Sequence, residues 1–345
     1  MNTNPEFIES LAQLDEMLTR PTPRLIAYIT SVSSSLLILG AGGKMGPTLA
    51  VLAKRAAAVA GHALDVIAVS RFSQDSAREW LEAQGVKTLA VDLMEPDQYA
   101  ELPDAKNIIY LVGMKFGTSQ NPELTWAINT LAPSYVAQRF QQARIVALST
   151  GNVYPFTPIE NRGSLEDDPL TPPGEYANAC VARERIFAYH ARRLNTPMTL
   201  IRLYYALDLR YGVVLDIARK IDNNEKVDLN MGYFNAIWQG DANEMIIRSL
   251  ALATTPTYPI NLTGTETLSV REVAEQLAAF MGKSVEFSGQ EQSLALLGNT
   301  TRMVSHLGNP ATALQDVIRW TAHWVQSGGP VLGKPTHFEV RDGRY

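Results

Sequence analysis

The sequence predicts an α/β fold, a doubly wound parallel sheet followed by a smaller C-terminal α/β module. Three observations carry this. An aliphatic run, Leu36-Leu37-Ile38-Leu39, ends on a glycine cluster and continues as a helix-forming stretch. Strand-like and helix-like segments then alternate repeatedly, the pattern of a Rossmann-type sheet. Past Tyr204 that rhythm changes to helices separated by short strands.

Asn4-Pro5 reads as a cap followed by proline in the first helical turn, with Phe7, Leu11, Leu14 and Leu18 on one face up to Pro21-Thr22-Pro23. This predicts an N-terminal helical extension over 1–33. The turn Gly40-Ala41-Gly42-Gly43-Lys44-Met45-Gly46 joins the first strand to a helix running to about Ala60 and stopped by Gly61. Glycine at 40 allows a tight turn, at 43 a close backbone approach to a diphosphate, and at 46 close packing of helix on strand. A second strand over 64–69 completes a βαβ unit, which predicts a dinucleotide held by Gly40, Gly43, Lys44, Met45 and Gly46.

The remaining elements follow in order. A helix is expected over 75–83, a third strand over 87–91 and a fourth over 107–112. A helix over 122–141, a fifth strand over 144–149, a helix over 174–194 and a sixth strand over 198–203 complete the nucleotide-binding domain, 34–204. Residues 205–345 read mainly as the substrate-binding domain, with helices near 213–221, 242–253 and 270–281. The last opens on the capping box Ser269-Val270-Arg271-Glu272 and ends at Gly282.

Composition excludes several classes of function. A net charge of −5 with no basic block argues against nucleic acid. No apolar stretch is long enough to span a bilayer, and residues 1–20 lack the pattern of a signal peptide. One cysteine, Cys180, rules out an internal disulfide, and the five histidines show no ligand spacing, so no metal site is indicated. These features predict a cytoplasmic protein.

The residues after the second strand select the nucleotide. An acid there favours NAD, whereas Ser70-Arg71 offers a hydroxyl and a guanidinium to a 2′-phosphate. The prediction is NADP, with NAD possible. In the plain alternative Arg71 is a solvated residue at a helix start.

Taken together these motifs resemble the extended short-chain dehydrogenase/reductase family, the NAD(P)-dependent epimerases and dehydratases, over about residues 35–325. Gly40, Gly43 and Gly46 fit its glycine loop, and Asp92-Leu93 its adenine-contacting pair. Gly113-Met114-Lys115 resembles the segment that brings a lysine near the cofactor, and Asn129 the structural asparagine of the next helix. Ser149-Thr150-Gly151-Asn152-Val153-Tyr154, then Glu166, Pro172-Pro173 and Tyr176, follow in the family's order, as later do Asp241 and Leu307-Gly308. The resemblance implies Thr150 and Tyr176 as the catalytic pair, and a homodimer formed through helices 122–141 and 174–194.

One departure stands at the chemistry. The family's Tyr-x-x-x-Lys reads Tyr176-Ala177-Asn178-Ala179-Cys180 here, with Glu184 keeping the register. A lysine one turn beyond the tyrosine would favour its ionised form by ~1–3 pKa units. A thiol brings no such charge, and an unaided phenol of pKa ~10 is about 0.1% ionised at neutral pH. Lys115 and Arg183 are the two residues that can restore a positive field. The ordinary reading of Arg183 is a solvated helix residue, and that of Cys180 a buried core residue.

The substrate segment also departs from the sugar-nucleotide pattern. Leu203-Tyr204-Tyr205-Ala206-Leu207-Asp208 replaces the usual Asn-x-x-Gly-Pro, and no arginine stands near Phe234–Trp238. Tyr204, Tyr205, Tyr211, Tyr233 and Trp238 predict an aromatic pocket. The expected function is an NADP-dependent oxidoreductase or epimerase-like enzyme acting on a small carbonyl or sugar-like substrate. The alternative is a catalytically degenerate NADP(H)-binding sensor or structural protein.

Overall fold

The computed structural model describes residues 4–32, 35–73, 75–114, 120–334 and 336–343. Its frame is a seven-stranded sheet in which every pairing is parallel. The strands are β1 (Leu36–Leu39), β2 (Val66–Ser70), β3 (Lys87–Ala90), β4 (Asn107–Tyr110), β5 (Arg144–Thr150), β6 (Met198–Leu203) and, further along the chain, β9 (Tyr258–Leu262). Their spatial order is β9-β6-β5-β4-β1-β2-β3. The direction of winding therefore reverses between β1 and β4, and in open α/β sheets ligands sit outside the carboxyl ends of the strands at such a point.

Both faces of the sheet are covered, which is why its central strands are mostly aliphatic. Leu36 and Ile38 of β1 pack with helices α2 (Pro23–Ile29), α3 (Gly46–Val59) and α8 (Gln239–Arg248). Leu37 and Leu39 point the other way, into a core shared with α5 (Pro122–Arg139) and α6 (Glu175–Leu194). Helix α4 (Asp75–Ala83) lies between β2 and β3 in sequence.

Beyond β6, the short strands β7 (Tyr205–Leu207) and β8 (Ala236–Trp238) pair in parallel. Helices α7 (Val213–Asp222), α9 (Val270–Met281) and α11 (Leu314–Gln326) close a second core. Helix α10 (Thr301–Leu307) returns to the sheet beside β9. Ser269 caps α9 by accepting from Glu272 N, and Gly282 ends it at φ +63°, as the capping box implied.

The amino-terminal segment differs from its sequence expectation. Helix α1 spans Leu11–Leu18, not a helix begun at Pro5, because the Ser10 hydroxyl caps it by accepting from Gln13 N. Residues before it are held by α11 instead: Trp320 Nε1 donates to Pro5 O at 3.0 Å, and the Phe7 ring lies 4.5 Å from that of His323. Thr22-Pro23 starts a second helix, α2. Leu14 and Leu18 lie in the C-terminal core while Leu25 and Ile29 lie in the sheet core, so the extension joins the two.

Candidate active site

The turn after β1 is shaped by the space each glycine leaves. Gly40 adopts φ +85°, and a Cβ there would lie 2.9 Å from Val112 N, so the ends of β1 and β4 meet at the reversal point. A Cβ on Gly46 would lie 2.4 Å from Ala41 O, which lets α3 start directly against the turn. Gly43 is different: among the described residues its Cβ would meet only Gly40 O, at 3.4 Å. That open side is the space a diphosphate needs. Among the described residues no side chain caps α3, so amides of its first turn stay available to an anion. A nicotinamide dinucleotide therefore fits this cradle.

Lys44 and Met45 turn their side chains elsewhere. Lys44 Nζ donates to Ala206 O at 2.9 Å and lies 3.9 Å from the Tyr211 ring centroid, while Met45 packs in the sheet core. Gly42, which the sequence reading passed over, brings the turn against β2, since a Cβ on it would lie 2.6 Å from Ser70 Oγ. Arg71 is exposed, its Nη1 3.9 Å from Asp92 Oδ2. Asp92 is held by its own turn, Oδ1 accepting from Met94 N at 2.9 Å, and Leu93 is buried. Lys115 lies outside the described residues.

Thr150 ends β5, and Tyr176 is the second residue of α6. Their hydroxyls hydrogen-bond each other, and the phenol also hydrogen-bonds the Cys180 sulfur. Thr150 Oγ1 accepts from Asn152 N at 3.2 Å, which frees its proton for the phenol oxygen. Burial, and then the Cys180 sulfur, push the Tyr176 phenol well above its ordinary value, with Arg183 opposing them. The phenol thus keeps its proton at neutral pH.

Arg183 corrects its sequence reading. It is 5% exposed, not solvated. Its Nη2 reaches Cys180 Sγ at 3.1 Å, and Nη1 donates to Val112 O at 3.1 Å. It lies under Gly113, where a Cβ would come within 2.8 Å of Nη1. Burial works against its charge, yet Cys180, Tyr176, Tyr110 and Glu184 together outweigh that and raise its pKa. Cys180 is fully buried, as expected of a core thiol.

A second buried network holds this helix to the sheet. The Glu184 carboxylate accepts from Arg202 Nη2 at 2.7 Å and from Ser149 Oγ at 2.5 Å. Arg202 also donates to the Tyr154 hydroxyl and, at 2.8 Å, to Glu166 O. Tyr154 donates to Asn261 Oδ1 at 2.9 Å, and Asn261 N donates to the Glu166 carboxylate at 3.0 Å. Arg202 and Asn261 escaped the sequence reading. A polar residue inside an aliphatic strand was the available signal for both.

The predicted aromatic pocket does not assemble. Trp238 packs on Trp320 with centroids 5.5 Å apart, and Tyr205 on Phe234 at 6.2 Å. Tyr204 alone shares an apolar cluster with Tyr176, its ring filling the space above Gly151 and Gly298.

The sheet order and the glycine cradle define an α/β protein of the dinucleotide-binding type. The model of the NAD dependent epimerase/dehydratase family matches residues 36–207, and the chain belongs to that family. No curated protein matches the chain in sequence. Among solved structures, UDP-glucuronic acid 4-epimerase of Bacillus cereus, in complex with NAD, is 15% identical with a TM-score of 0.72, over 85% of this chain and 98% of that one. Thermus thermophilus UDP-glucose 4-epimerase, also with NAD, is 19% identical with a TM-score of 0.65, over 85% and 99%. Pal of Bacillus thuringiensis is 18% identical with a TM-score of 0.69, again over 85% and 99%. Among the described residues no helix is long and apolar enough to cross a membrane.

Proposed function

We propose that this chain is an NADP-dependent oxidoreductase of the epimerase/dehydratase type acting on a small carbonyl or sugar-like substrate. The observation that carries this reading is the hydrogen-bonded Thr150–Tyr176 pair, with a phenol held neutral by burial. When bound, a nicotinamide dinucleotide supplies the hydride. Tyr176 gives its proton to the developing alkoxide, and Thr150 orients the carbonyl oxygen by a hydrogen bond. A neutral phenol suits reduction better than alcohol oxidation, which needs a base. Arg71, exposed at the end of β2, is the cation for a 2′-phosphate.

A second reading has its own support: Tyr176 is only 8% exposed and the lysine position holds Cys180, as in a binding protein that has lost turnover. Binding of NADPH and NADH by calorimetry, followed by a panel of carbonyl and sugar-acid substrates scored by NADPH fluorescence, separates the two. NADPH consumption that Tyr176→Phe abolishes supports the enzyme. Tight binding with no turnover supports the sensor, and binding of neither nucleotide overturns both.

For assembly we propose a homodimer through α5 and α6. Leu124 and Leu131, seven residues apart on one face of α5, are exposed apolar side chains, as is Tyr189 of α6, and self-pairing would cover them. A single monomeric species in sedimentation would overturn this.

A further inference from the structure

The cluster around Cys180 holds more chemistry than a core thiol requires. The Arg183 guanidinium is buried, keeps its charge at any working pH, and among the described residues has no carboxylate to itself. Its neighbour Glu184 is engaged by Arg202 and Ser149. The groups facing the sulfur and the guanidinium are Tyr176 from α6, Tyr110 from β4 and Thr150 from β5 through the Tyr176 hydroxyl. Arg183 donates to the Val112 carbonyl and meets Cys180 Sγ, and its Nε has no partner among the described residues. A buried cation placed in this way stabilises whichever neighbour gives up a proton.

We propose that Cys180 and Arg183 together take the place of the missing lysine: Cys180 exchanges a proton with Tyr176, and Arg183 holds the resulting thiolate. The proposal rests on Tyr176 being the proton donor to substrate. During reduction the proton on Tyr176 Oη leaves for the substrate oxygen, and the proton on Cys180 Sγ moves to Oη. The negative charge then rests on sulfur, 3.1 Å from Arg183 Nη2. Alcohol oxidation runs the same two transfers in reverse. Sulfur is the better seat for that charge, since a thiol of ordinary pKa ~8.5 ionises about 30-fold more readily than a phenol at ~10. Tyr176 touches the substrate in this scheme, while Cys180 and Arg183 are positioning residues that act through it.

Because Cys180 is the sole thiol, the S–H stretching band in the Raman spectrum of the full chain reports its ionisation alone. The band is titrated against pH without nucleotide or substrate. The expected midpoint lies at least about one unit, or tenfold, below the free-thiol value of ~8.5. Arg183→Met raises it by at least tenfold, and Arg183→Lys restores most of the shift. A wild-type midpoint at or above ~8.5 overturns the proposal even if the variants do not fold. So does a midpoint that Arg183→Met leaves in place, or one that Lys115→Met moves instead. The titration needs no turnover, so it can fail while Tyr176→Phe still abolishes activity, and the reverse.

Discussion

The turn after β1 and the second turn of α6, which we propose serve the same crevice, are built in opposite ways. In the turn, backbone meets backbone. A Cβ on Gly46 would collide with Ala41, and one on Gly40 with the backbone at Val112, so no other residue type fits. Around α6 the proposed requirement is for charge at a place, and side chains of different length can meet it from different positions. Cys180 with Arg183 stands where the family resemblance expects one lysine. A site whose function is set by backbone approach is written in the sequence with little freedom. A site set by charge can be rewritten.

The contrast breaks first, if it breaks, at the buried ion pair behind α6. Arg202→Met leaves Glu184 charged and unpaired among groups that exclude water. The expected loss is about 3–5 kcal/mol of stability, read from urea denaturation. Replacing Glu184 by Met in the same chain should recover much of it, because the uncompensated charge goes too. If the double variant is no more stable than the single one, α6 is held by shape and not by charge.

Within the turn, two glycines give opposite expectations. Gly46→Ala forces a Cβ to 2.4 Å from Ala41 O, and neither backbone can give way, so a cost of about 3 kcal/mol is expected. Gly43→Ala meets, among the described residues, only Gly40 O at 3.4 Å and should stay within about 0.5 kcal/mol of wild type. Its loss appears in nucleotide binding instead, by about tenfold, because the methyl enters the diphosphate space. Equal effects of the two substitutions on stability would show that position 43 is structural.

The same division explains what the sequence made legible. Glycine spacing and strand–helix alternation are local patterns, and they located the cradle and β1 to β6 within a residue or two. Arg183 was misread because a helical pattern says which residues share a face but not what covers it. Here the cover is the chain at Val112–Gly113, some seventy residues away. The Glu184–Arg202 pair and the joining of Tyr258–Leu262 to the sheet are likewise long-range facts. At Asn4-Pro5 a good local signal lost to tertiary bonding, since Pro5 O is taken by Trp320.

The support behind the turn offers a pH test. Helix α8 backs α3 through Gln239 and Asn243, both donating to Thr48 Oγ1, at 3.1 and 3.0 Å. Asp241 of α8 accepts from Thr312 N at 2.8 Å, but burial still pushes its carboxyl up to about 6 from 3.8. The native state therefore holds its proton more tightly than the unfolded chain does. This contribution is complete below the unfolded value and is lost as pH rises to about 6, a fall of about 2–3 kcal/mol. Asp241→Asn keeps the acceptor and removes the titration, so its stability profile should be flatter across that window. Matching profiles for wild type and variant would place the carboxylate in contact with water.

The smallest expected effect concerns the one residue near the turn whose proposed role is charge. Arg71 is exposed, with its side chain 71% accessible, and its contact with Asp92 at 3.9 Å is loose. Such a pair adds little to stability, so Arg71→Ala should leave the denaturation midpoint unchanged. A guanidinium on a 2′-phosphate in solvent is worth about one tenfold step in affinity. The variant should accordingly bind NADPH about tenfold more weakly and NADH as before, measured by calorimetry at fixed salt. Equal weakening for both nucleotides would mean that Arg71 acts on the loop through Asp92. In that case even nucleotide selection at this end of the crevice would depend on backbone placement, and the division between the two regions would move to α6 alone.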